Sequence, residues 1–114
     1  MAWITKKGYS TKEIASGSLK VIGNFEIQLA RFLGGKFSHF HKKKTEFFFF
    51  YGGSGKVIID NKEHKIKTGS FFRIRPKQIH TFINTKTKIP LKAVMVKVNN
   101  DYQDTYDAPQ NSSQ

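Results

Sequence analysis

Short runs rich in Phe, Val and Ile recur through the middle of the chain, separated by Gly, Asn, Asp and Lys turns, and helical periodicity is hard to find. The pattern predicts an all-β protein with strands near Phe25–Phe32, Phe37–His41, Glu46–Tyr51, Lys56–Asp60, His64–Lys67, Phe71–Ile74, His80–Asn84 and Leu91–Val98. So many short strands point to a sandwich or barrel. The turns are readable as well. Gly52-Gly53-Ser54-Gly55 joins two strands, and Asp60-Asn61-Lys62-Glu63 reads as a hairpin loop between Ile59 and Ile66. Gly34-Gly35 breaks the first long strand. The segment Phe47–Phe50 lacks polar alternation, so both its faces should be covered, one by the barrel interior and the other by a second sheet or a subunit.

The two ends read differently, which divides the chain into a strand or arm over residues 1–23, a barrel over 24–98 and a flexible tail over 99–114. Trp3 is the expected anchor of the arm. The tail is Asn, Asp, Gln, Ser and Tyr with almost no aliphatic residue. No internal repeat is visible.

A chain of 114 residues has room for one hydrophobic core, and 38% hydrophobic and 14% aromatic residues, with eleven Phe, are enough to fill it. No apolar run has the roughly 18 to 20 residues that a membrane span needs, and Met1 to Tyr9 contain no apolar stretch of signal-peptide type. The expectation is a soluble cytoplasmic protein. The absence of cysteine fits that compartment and removes disulfides, zinc ribbons and thiol catalysis together. Any metal must then be held by His and carboxylate. The net charge of +12 attracts anions, although three of the eight acids, Asp101, Asp104 and Asp107, fall in the tail. The lysines are dispersed, with Lys42 to Lys44 as their one run, and no nucleic-acid-binding motif is recognisable, which argues against nucleic acid as the partner.

The four histidines carry the chemistry. His39 and His41 are two apart on a predicted strand, so both imidazoles belong to one side, with Cα atoms roughly 6 to 7 Å apart. If Lys42 to Thr45 turn the chain back, Glu46 sits across from them and adds a charged oxygen ligand. His80 arrives on its own strand after a proline-containing turn. Three neutral imidazoles and a carboxylate suit one divalent transition metal, Fe, Mn, Zn, Ni or Cu, with one or two positions left for water or substrate. His64 lies outside this group, as an exposed or supporting residue.

The segment His39-Phe-His41-Lys-Lys-Lys-Thr-Glu46-Phe-Phe-Phe-Phe-Tyr-Gly52-Gly53 resembles the first motif of the cupin superfamily, G(X)5HXH(X)3,4E(X)6G. The second motif, G(X)5PXG(X)2H(X)3N, is matched at Gly69, His80 and Asn84. Arg75 stands where its proline should be and Lys77 where its glycine should be, with Pro76 between them; Leu33 holds the position of the leading glycine of the first motif. These departures alter turns and leave the ligands in place. The resemblance, over residues 24–98, implies a cupin-type jelly-roll β-barrel with a metal in its mouth, often as a homodimer.

Strand parity sends Phe37, Phe48, Phe50, Phe82 and Asn84 inward with the ligands, giving an aromatic-walled cavity. Gln28, Arg73, Phe48, Tyr51 and Phe82 are the candidate substrate contacts, and Arg73 and Arg75 share a face that could hold a phosphate or carboxylate. No catalytic base can be named. Cupins include isomerases, epimerases, dioxygenases and pure binding proteins, so the resemblance leaves the reaction open. The lysine-rich first motif is similar to single-domain cupins described as sugar-phosphate isomerase-like, which favours a small anionic or sugar-phosphate-like ligand. The alternatives are Fe(II)-dependent oxygen chemistry on the same ligands and a non-enzymatic module that binds or senses a small molecule.

Overall fold

The computed structural model describes residues 2–6, 9–19, 23–33, 35–40, 44–84, 88–99 and 106–107, and for 6, 19, 35–40 and 106–107 it describes the backbone alone. The alternating runs form strands throughout: β1 (Ile4–Lys6), β2 (Tyr9–Leu19), β3 (Gly23–Phe32), β4 (Gly35–Phe40), β5 (Thr45–Gly52), β6 (Gly55–Ile59), β7 (Lys62–Ile66), β8 (Phe71–Ile74), β9 (His80–Asn84), β10 (Leu91–Val98) and β11 (Tyr106–Asp107). They build two antiparallel sheets. One has the order β1-β2-β3-β10-β5-β8 and the other β11-β4-β9-β6-β7. This is an all-β fold, as the pattern predicted, and the jelly roll that the resemblance implied. The eight expected strands are present within a few residues, and the N-terminal region adds β1 and β2 at the edge of the first sheet.

The pleat decides which residues meet between the sheets. Along β3 the buried side chains are Glu26, Gln28, Ala30 and Phe32, every second residue, and along β10 they are Leu91, Ala93, Met95 and Lys97. On β5 the buried set is Glu46, Phe48 and Phe50. From the facing sheet come Val57, Ile66 and Phe82, so the core is shared by both layers. Phe82 is its hub: its ring lies 4.5 Å from that of Phe32 and 4.8 Å from that of Phe48, centroid to centroid. Burying each such ring contributes roughly 1.5 to 3 kcal/mol relative to leaving it in water.

Turn chemistry locks the register. Asp60 and Asn61 both have positive φ, 48° and 68°, which makes the β6–β7 link a two-residue type I′ hairpin with Ile59 opposite Lys62. Gly53 has φ 82°, and a Cβ there would stand 2.5 Å from the Pro90 carbonyl oxygen. Only glycine fits. In the turn between β8 and β9, Lys77 has φ 71°, so it adopts the left-handed conformation that the glycine of the cupin motif would supply without strain. The turn is held by Gln78, whose backbone N–H donates to the Arg75 carbonyl (3.2 Å) and whose side-chain oxygen accepts from the Arg75 N–H (2.8 Å).

Trp3 packs over Arg31, whose guanidinium carbon lies 3.7 Å from the ring centroid and ties the N-terminal segment to β3. At the other end, Tyr106 and Asp107 pair with Phe40 and His39 on β4; the rest of the predicted tail beyond Asn99 lies outside the described residues. Among the described residues no second sheet covers the outer face of β5. Phe49 is 46% exposed and Phe71 60% exposed, with Phe47 stacked on Phe71 at 6.0 Å.

Candidate metal centre

Glu46 lies on β5 in the first sheet and His80 on β9 in the second, and their side chains meet between the layers. Glu46 Oε1 is 3.5 Å from His80 Nε2, and the two residues are 3% and 0% exposed. His80 Nδ1 is 3.3 Å from the Gln78 carbonyl oxygen, an acceptor, so Nδ1 carries the proton and donates. In a neutral imidazole that leaves the lone pair on Nε2, aimed at a carboxylate. Two acceptors facing each other in a dry interior require a cation or a proton between them. The backbone-anchored Nδ1–H is also the arrangement that orients metal-ligating histidines. The donor chemistry therefore fits a divalent ion.

The other two expected ligands are placed only in part. His39 is the register partner of His80 in the β4–β9 pair, and directly opposed Cα atoms in antiparallel sheets lie about 4.5 to 5.5 Å apart. Its side chain, and all of His41, fall outside the described residues. Among the described residues no group of three or more His, Cys, Asp or Glu side chains forms a metal site.

Around the pair lie polar groups that sequence reasoning did not single out. Lys97 is opposite Glu26 on one side and opposite Glu46 on the other, so a buried ammonium stands between two buried carboxylates in the same row of the sheet. Its Nζ is 3.9 Å from Glu26 Oε1. Lys44 is buried too. Their signal was available in parity, because Lys97 follows the inward Ala93 and Met95 and Glu26 precedes the inward Gln28. Tyr9 had no such signal, since β2 is not legible as a strand. Its ring stacks on Phe32 at 5.8 Å, and its phenol is pushed above the usual tyrosine range, first by burial and then by the charge of Glu46. It stays protonated at neutral pH and can donate.

Of the candidate substrate contacts, Gln28, Phe48 and Phe82 are buried between the sheets with Glu46 and His80. The side-chain oxygen of Gln28 is buried and has no hydrogen-bond partner among the described residues. Tyr51 and Arg73 are not brought to this group. Their parity in β5 and β8 puts them on the outer face, where both are exposed. Asn84 is buried but committed to structure, donating from Nδ2 to the carbonyls of Phe32 (3.0 Å) and Ile89 (2.9 Å). His64 is an exposed residue whose ring stands 5.8 Å from that of Phe72.

Fold and site together describe a jelly-roll barrel with a polar cup between its two sheets. The chain belongs to the cupin family: residues 33–97 match the model of the cupin domain. Proteins of this family commonly bind a metal. No curated protein sequence matches the chain. Among solved structures it is similar to KdgF from Halomonas sp., with a TM-score of 0.75 at 12% identity, covering 90% of this chain and 89% of that one. It is also similar to Pac13, a nucleoside dehydratase (TM-score 0.73, 13% identity, 94% of this chain and 83% of that one). A putative sugar phosphate isomerase from Acidithiobacillus ferrooxidans shares 21% identity at a TM-score of 0.59, over 68% of this chain and 51% of that one. At these identities the likeness is one of fold. Among the described residues no helix is long and apolar enough to cross a membrane.

Proposed function

We propose that the protein is a cytoplasmic metal-dependent cupin that binds one divalent transition metal through His39, His41, Glu46 and His80 and acts on a small anionic, sugar-phosphate-like metabolite as an isomerase or epimerase. The observation that carries the reading is the buried Glu46–His80 pair, a carboxylate oxygen 3.5 Å from an imidazole nitrogen. When bound, the ion supplies Lewis acidity toward a substrate carbonyl or hydroxyl. The chain's own groups do the rest. Lys97 offers a buried ammonium on the inner row, and the net charge of +12 favours an anionic substrate over a neutral one. Tyr9 donates a hydrogen bond from its phenolic oxygen. Glu26, in the same inner row and 3.9 Å from the Lys97 ammonium, is the carboxylate placed to accept a proton at its side-chain oxygen. Phe32, Phe48 and Phe82 exclude water from one side of the cup. The exposed Phe49 supports a homodimer through the outer face of β5.

The test is a panel of aldose and ketose phosphates followed by proton NMR with the metal-loaded protein in deuterated water. Exchange of the proton next to the carbonyl, or conversion between isomers, is expected. It should fall at least tenfold in Glu26→Gln with metal content retained. No exchange and no conversion with any member of the panel would remove the isomerase reading.

A further inference from the structure

The two sheets close on each other through side chains, but their edge strands β7 and β8 are not paired with one another. At that seam a cavity of about 390 Å³ is lined by Ile59, Asp60, Lys62, His64, Phe72 and Arg73, with Phe71 and Gln78 at its rim. Glu46 and His80 do not line it. Its size lies in the range of small-molecule sites, about 300 to 1,000 Å³.

The lining is chemically divided. Lys62 and Arg73 bring two cations, and His64 adds a ring nitrogen donor. The one carboxylate, Asp60, is already engaged: Oδ1 accepts from the Ile79 N–H at 3.0 Å and Oδ2 from the Gln78 side-chain amide at 3.2 Å. Those bonds fix the cavity wall, and the one carboxylate charge is outnumbered by Lys62 and Arg73. The other half of the lining is aromatic. Phe72 packs under His64, and Phe71, 60% exposed, offers a ring face or edge to solvent. A ligand that satisfies both halves carries a planar ring for Phe71 and an anionic group for the forked guanidinium of Arg73, on the same face of β8, and the ammonium of Lys62.

We propose that this lateral cavity is a second binding site, separate from the barrel cup, for an aromatic phosphomonoester of mononucleotide type. The proposal does not depend on the metal reading of the cup. It gives Arg73 a role away from the cup, in a place where its outward direction on β8 is what the ligand requires.

The probe is adenosine 5′-monophosphate, titrated into the full-length protein and read by calorimetry and by amide proton–nitrogen correlation spectra, with adenosine and inorganic phosphate as separate arms. Saturable binding is expected, tighter for the nucleotide than for either fragment, with resonances of Lys62, His64, Arg73 and Gln78 moving most. Arg73→Ala should weaken it at least tenfold and Phe71→Ala severalfold, whereas Lys92→Ala, exposed on another strand, should leave it unchanged. Absence of saturation at millimolar nucleotide would overturn the proposal. So would equal losses in Arg73→Ala and Lys92→Ala, which would mean attraction by the basic field alone. Spectral changes centred on Gln28, Met95 and Lys97 would place the ligand in the cup instead and would equally overturn it.

Discussion

Glu46 and His80, thirty-odd residues apart in sequence, stand 3.5 Å from one another across two sheets, and neither reaches solvent. The fold accepts a buried carboxylate beside an imidazole because other charges surround them. Lys97 is the register neighbour of Glu46, and the Gln78 carbonyl fixes the far nitrogen of the His80 ring. An apolar pair at these positions would be a simpler way to fill a barrel. The proposed metal would account for the cost of keeping a polar pair there.

The strained turn next to His80 gives the first prediction. Lys77 holds φ 71° with a side chain that disfavours it, at roughly 1 to 2 kcal/mol. Lys77→Gly should therefore stabilise the protein by about 0.5 to 1 kcal/mol after the greater chain entropy of glycine is subtracted. Thermal unfolding checks it, and a lower midpoint would show that the Lys77 side chain makes a compensating contact.

Gly53 predicts the opposite sign. A methyl group there meets the Pro90 carbonyl oxygen at 2.5 Å and the Leu91 Cα at 3.0 Å, on a backbone at φ 82°. Gly53→Ala should cost about 2 to 3 kcal/mol, measured by denaturant unfolding. A loss below about 0.5 kcal/mol would mean that the β5–β6 link is free to move away.

Glu13 makes stability depend on pH. Its carboxyl is held above the usual carboxylate range, first by a hydrogen bond to Glu26, then by desolvation and by the charge of Glu26. A raised folded-state value means that the favourable interaction is fully present below the unfolded value and lost as pH rises through the folded one. As pH rises through the folded value the hydrogen bond is lost and the ionised Glu13 faces the charge of Glu26. Glu13→Gln keeps a donor for Glu26 and removes the charge, so the melting temperature should rise modestly at neutral pH, with the gain disappearing near about pH 4. A gain independent of pH would contradict the assignment.

The outer face of β5 predicts self-association. Phe49→Ser should leave the unfolding midpoint of the isolated subunit nearly unchanged, since the ring is 46% exposed and points away from the core. It should also convert a dimer to a monomer in sedimentation experiments. A wild-type protein that sediments as a monomer at high concentration would remove the dimer.

Much of this architecture was legible in the residue pattern. Along β3, β5 and β10 the period of two is strong because one face of each strand packs against the other sheet, so the inward positions of Phe48 and Phe50 could be read directly; Phe82 and Asn84 are buried as expected on β9, where burial does not alternate. β2 could not be read that way. It runs Tyr-Ser-Thr-Lys-Glu-Ile-Ala-Ser-Gly-Ser-Leu, and an irregularity between Glu13 and Ala15 interrupts its alternation. Tyr9 was missed with it. The outward direction of Tyr51 and Arg73 follows from the same parity as their neighbours and separates them from the buried Gln28, Phe48 and Phe82. The cavity between β7 and β8 left no trace in the sequence, because it depends on where two sheet edges stay apart.

The most direct measurement of the central claim is the metal content of the protein purified anaerobically and offered Fe, Mn, Zn, Ni and Cu in turn, compared with His80→Ala and Glu46→Ala. Circular dichroism confirms that each variant is folded. The expected result is one equivalent of one of these ions in the wild type, and a loss of at least tenfold in affinity in each folded variant. A wild type that holds no stoichiometric metal under any loading, or folded variants that hold it as tightly, would contradict it.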